Sequence, residues 1–201
     1  MQPMHRSEND MLCELLANLK GPDAFHWQWA FQMLLKKQNP WPNPKFNWTR
    51  RVRPRYASVE EYVKAFQTVH CHLGSGAGAL MHHVSFGSME QEVIAVEMSL
   101  SQLGFDEASE ASLERVFERG RWLGLTLLPD WAGLALFFSI TPCTGDRLLV
   151  ATQPIVGPGD KQMLFAIETN EQDCLFAYEY HAKTILSQFK YFFGCPAELV
   201  A

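Results

Sequence analysis

Residues 69–83, VHCHLGSGAGALMHH, gather the side chains best suited to chemistry. They hold four of the chain's seven histidines, Cys71, and the alternating glycines Gly74, Gly76 and Gly78. Two chemistries use such residues. Imidazole and thiolate groups ligate transition metals, and a glycine-rich loop lets backbone N–H groups close around a phosphate.

Spacing argues against both. His70 and His72 stand two apart and His82 and His83 are adjacent, so each pair diverges in regular structure. His70, His82 and His83 remain weak metal candidates, with Cys71 or Glu90 as outside ligands, and no metal site is favoured. The histidine pattern lacks H-x-x-x-H and H-E-x-x-H, the helical spacings that gather ligands. Gly74 to Ala79 match G-x-G-x-x-A. That fingerprint requires a strand before the loop, whereas the periodicity here predicts a helix. No Lys-Ser/Thr follows the glycines, which excludes a P-loop. No cofactor is expected.

Five cysteines are scattered without a C-x-x-C pair, which argues against a zinc ribbon or a dithiol centre. Cys143, in SITPCTGD with Asp146 three residues on, is the one candidate nucleophile. It lacks any catalytic signature and reads as a turn cysteine. The carboxylates Glu107, Glu110, Glu114 and Glu118 recur at helical spacing and read as a solvated face paired with Arg115, Arg119 and Arg121.

The strongest remaining signal is residues 39–57, NPWPNPKFNWTRRVRPRYA. Four prolines keep this stretch extended. Five residues are basic (Lys45, Arg50, Arg51, Arg53, Arg55), none is acidic, and Trp41, Phe46, Trp48 and Tyr56 are aromatic. Charge is unevenly divided along the chain. Residues 1–57 carry nine basic and four acidic side chains, and residues 58–201 carry eight and eighteen. Arginine and aromatic rings dominate protein interfaces, and the same pairing suits single-stranded nucleic acid. A net charge of −5 weakens the second use.

The elements that must position these residues divide the chain into three stretches. Residues 1–38 read as a helical hairpin, 39–57 as a basic aromatic connector and 58–201 as the main body of a single α+β domain. Ser58-Val59-Glu60-Glu61 and Ser88-Met89-Glu90-Gln91 are capping boxes, predicting helices over 58–73 and 88–103. A shorter helix is expected over 109–120. WLGLTLLP, GLALFFSIT, RLLVATQPI and KQMLFAIET read as four strands joined by turn chemistry. A long helix over Glu171–Phe193 closes the chain. The expected fold is α+β, a helical N-terminal half followed by a four-stranded antiparallel meander packed by a long C-terminal helix.

No apolar run reaches the roughly 20 residues that a membrane span needs. The expectation is a soluble, cytoplasmic, non-enzymatic binding or regulatory module acting through protein–protein recognition. Trp41, Lys45, Trp48, Arg50, Arg51, Arg53 and Arg55 are its expected contacts. The alternatives are a nucleic-acid-binding protein using the arm 39–57, or a metal-dependent enzyme using the histidines of 70–83.

Overall fold

A computed structural model describes residues 8–21, 24–35, 46, 49–69, 72–74, 76–86, 88–105, 111–140, 145–169 and 173–199. The chain divides into two compact units, Met1–Pro44 and Lys45–Ala201.

The first unit contains α1 (Glu8–Asn18) and α2 (Ala24–Leu35). Their turn is held by the Ala24 N–H on the Gly21 carbonyl at 3.0 Å and by Gln28 Nε2 on the Leu19 carbonyl at 3.1 Å.

In the second unit a mixed sheet forms the centre. Its strands are β1 (Thr49–Val52), β2 (His72–Leu73), β3 (Val93–Met98), β4 (Arg147–Val150), β5 (Ile155–Val156), β6 (Gln162–Thr169), β7 (Asp173–Glu179) and β8 (Lys190–Cys195). Seven follow the order β1-β3-β8-β4-β6-β7-β2, and β5 adds to β6. The β4/β8 and β2/β7 pairs are parallel and the others antiparallel.

Both faces of this sheet are covered, and the pleat sorts side chains between them. Ala95, Leu148, Val150, Phe165, Ile167 and Phe192 join one core with residues of α3 (Val59–Thr68), α4 (Ala77–Met81) and α6 (Ala132–Phe137). Val96, Leu149, Leu164, Ala166, Tyr191 and Phe193 join another with Leu113, Val116 and Phe117 of α5 (Leu113–Trp122). Successive strand residues bury on opposite sides, so interior strands read as unbroken apolar runs. Each large side chain fully buried this way contributes about 1.5–3 kcal/mol.

This arrangement overturns the expected fold. Instead of a helical half and a four-stranded meander, the described residues contain a larger mixed sheet and six short helices. The proposed C-terminal helix over 171–193 is replaced by β7 and β8. Its residues Phe176, Tyr178, Tyr191, Phe192 and Phe193 are aromatic and favour strands when both faces are packed. The expected helix over 88–103 is a turn followed by β3, where Val93, Ile94 and Val96 suit an extended chain.

GLALFFSIT departs in the opposite direction: its first part is α6, whose six residues are all buried. A helix buried all round shows no polar stripe, so its period is hidden. WLGLTLLP ends α5 and then contributes only the isolated bridges Thr126↔Gly194 and Leu128↔Thr152. The helix expected over 58–73 stops at Thr68. Ser58 caps its start, accepting the Glu61 N–H, while Glu61 Oε2 accepts the Ala57 N–H at 2.9 Å.

Among the described residues, no helix is long and apolar enough to cross a membrane.

Candidate functional site

Strand β1 ends the sheet, and its arginines make the most distinctive surface of the second unit. Pairing sets Arg50 opposite Ala95, Arg51 opposite Ile94 and Val52 opposite Val93. Val52 and Pro54 are buried, whereas Arg51, Arg53 and Arg55 are exposed. The segment R-V-R-P-R therefore anchors on alternate residues and presents guanidinium groups on the others. Arg50 is also exposed, on the face of β1 that looks toward the α3/α6 side.

Side chains of α3 and of Phe138, at the end of α6, hold this segment. The backbone N–H of Arg55 donates to Tyr62 Oη at 2.9 Å. Tyr62 is fully buried, and burial pushes its phenol pKa up despite opposing hydrogen bonds from Arg55 and Tyr56. Tyr56 meets Tyr62 edge-on at 5.0 Å and Phe138 at 6.0 Å. The Arg55 guanidinium lies 5.3 Å from the Phe138 ring and 5.7 Å from the Tyr56 ring. Cation–π contacts of this kind fix the side chain while leaving its N–H donors available.

Arg51, Arg53, Pro54, Arg55, Met89 and Ser139 surround a concavity of about 440 Å³. A second hollow of about 350 Å³ shares Arg51 and extends along Val93, Ile94, Thr126–Leu128 and Gly194–Ala197. Arg51 Nη1 donates to Glu92 Oε1 at 3.0 Å. Both side chains are well exposed, so this pair contributes at most about 1 kcal/mol and another carboxylate can exchange for Glu92. The cluster is suited to binding an anion.

Of the expected contact residues, Arg50, Arg51, Arg53 and Arg55 share this edge. Trp41, Lys45 and Trp48 lie outside the described residues. So do His70, Cys71 and Cys143. His82 and His83 are exposed at the end of α4. Among the described residues, no group of three His, Cys, Asp or Glu side chains is placed to hold a metal ion.

The glycine loop corrects one premise. A strand, β2, precedes it rather than a helix, and the five-residue α4 follows. Packing accounts for the first glycine: a Cβ at Gly74 would sit 2.1 Å from Cδ1 of Phe176. Met89 and Ser139 went unrecognised as neighbours of the arginines because only tertiary structure brings them there. The alternation of Arg with Val52 and Pro54 was the available signal.

A separate polar cluster lies along β4, β6 and β7. The buried Glu168 carboxylate accepts a hydrogen bond from the Tyr178 hydroxyl, and Arg147 Nε is 3.8 Å away. Burial first, then the adjoining Glu168, pushes the Tyr178 pKa up to about 12. Burial likewise raises the pKa of Tyr62, Tyr180 and Tyr191. Unfolded tyrosines ionise near pH 10. Above that pH the unfolded chain releases protons that the folded chain retains, so stability falls as pH rises. Equilibrium urea unfolding should show a falling midpoint above pH 10, and Tyr178→Phe should make the fall shallower. That substitution should also lower neutral-pH stability by about 1–3 kcal/mol, because it removes a donor to a buried carboxylate.

No protein-family model matches this chain, and no curated protein or solved structure gives a significant match.

Proposed function

We propose that the protein is a non-enzymatic recognition module that binds an acidic protein partner through its arginine edge. The observation carrying this reading is the phase of R-V-R-P-R, with Val52 and Pro54 buried and Arg51, Arg53 and Arg55 around a concavity. Arginine supplies five donors in a planar fork that matches a carboxylate. The net charge of −5 opposes the long-range approach of any polyanion, acidic peptide and polyphosphate alike, so binding at this edge relies on the local arginine cluster, and a direct comparison of the two ligands discriminates between them.

The test uses a ten-residue peptide of alternating glutamate and threonine, with a single-stranded oligonucleotide as comparator. The unaltered protein should bind the peptide with an affinity that weakens as salt rises. The triple variant Arg51→Glu/Arg53→Glu/Arg55→Glu should bind it at least tenfold more weakly while keeping its circular dichroism spectrum and a single cooperative melt. Undiminished peptide binding by the folded variant would overturn the proposal. Tighter binding of the oligonucleotide through the same arginines would reassign the edge to nucleic acid.

A further inference from the structure

We infer that the acidic segment docks as an added strand on the outer edge of β1, so that backbone hydrogen bonds and charge act together. This rests on the recognition reading above and specifies its geometry. β1 lies at the end of the strand order, and among the described residues only β3 pairs with it. In an antiparallel pair, alternate residues direct their N–H and C=O groups away from the partner. Half of the β1 backbone groups therefore face outward, where an extended peptide can satisfy them.

The side chains determine what kind of strand fits. Full antiparallel overlap with a second copy, Thr49 opposite Val52, would set Arg50 opposite Arg51. Like charges directly opposite are destabilising, so this edge rejects its own kind. A segment bearing carboxylates has the complementary sign. Arg51 and Arg53 stand two residues apart, about 6.6 Å in extended chain, and Arg55 follows at a bend beyond the end of β1. Glutamate or aspartate at every second position of the incoming strand repeats at the same interval. Backbone pairing stops before Pro54, which has no N–H, and before Arg55, whose N–H is held by Tyr62. Beyond that point side-chain contacts alone continue the match.

N-methylation separates pairing from charge. Two versions of the glutamate–threonine peptide carry N-methyl groups, on every glutamate in one and on every threonine in the other. Both retain the full charge, and each blocks one edge of the peptide. One should bind at least tenfold more weakly than the parent and the other about equally well. Amide exchange of the ¹⁵N-labelled full chain should slow at one alternate pair in β1, either Thr49 and Arg51 or Arg50 and Val52. Equal binding of all three peptides, or unchanged β1 exchange in the bound state, would overturn strand addition while acidic recognition stood. Failure of the unmethylated peptide to bind would overturn the recognition reading and this inference with it.

Discussion

Phe165→Ala should destabilise the second unit by about 3–5 kcal/mol, a large share of the roughly 5–15 kcal/mol that holds a domain of this kind together. Phe165 is fully buried on β6, an interior strand paired with β4 on one side and β7 on the other. Its ring belongs to the core shared with α6. The helix comes so close that a Cβ at Gly133 would sit 2.7 Å from the Phe165 Cβ. With backbone fixed on both flanks, little can move into the vacated space, so transfer and cavity contributions add. Urea unfolding should show a much lower midpoint with an unchanged slope. A loss below about 1 kcal/mol would mean that α6 does not pack on the sheet as described.

The second large effect concerns α5 and the opposite face. Gly120 is buried in that helix, and an added Cβ would lie 2.4 Å from Cε1 and 2.7 Å from Cζ of Phe193. In an exposed helix, glycine to alanine stabilises by about 0.8–1 kcal/mol. Here overpacking reverses the sign, and Gly120→Ala should destabilise by about 1–3 kcal/mol or more. Phe193→Ala alone should cost about 3–5 kcal/mol. The double variant removes the ring that the new methyl strikes. Its loss should fall short of the two separate losses by about 0.5–3 kcal/mol. Strict additivity in denaturant midpoints would contradict this close approach of helix and strand.

These contacts also explain what could be read from the sequence. The caps at Ser58 and Ser112 are local devices: each side-chain oxygen accepts a backbone N–H three residues on. α3 was legible from its cap, α5 from the helical spacing of Leu113, Val116 and Phe117, and β4 and β6 as apolar runs. The C-terminal region was misread because Cys174, Leu175 and Tyr178 fit a helical stripe as readily as an alternating strand. Only the pairing of β7 with β6 decides between them. α6 failed in reverse, since a helix buried on every side and a fully buried strand both present a short apolar run.

Half of the arginine edge was visible as composition. Its phase was available in the alternation of Arg51, Val52, Arg53, Pro54 and Arg55. Tyr62, Met89 and Ser139 could not be assigned to it, because their proximity depends on where α3, β3 and α6 meet the sheet.

The position of β8 has a consequence for biosynthesis. This strand is the last of the eight in chain order, yet it lies between β3 and β4. A nascent polypeptide extended through β7 has no strand to hydrogen-bond β3 and its neighbour β1 to the remainder of the sheet. Ribosomal elongation from Met98 to Lys190 lasts on the order of 5–20 s. Throughout that interval β3 lacks the strand that links it to β4, and once Val150 has been added β4 lacks it too. Chaperone occupancy on translating ribosomes should therefore persist until β8 emerges, and fall as it enters the gap.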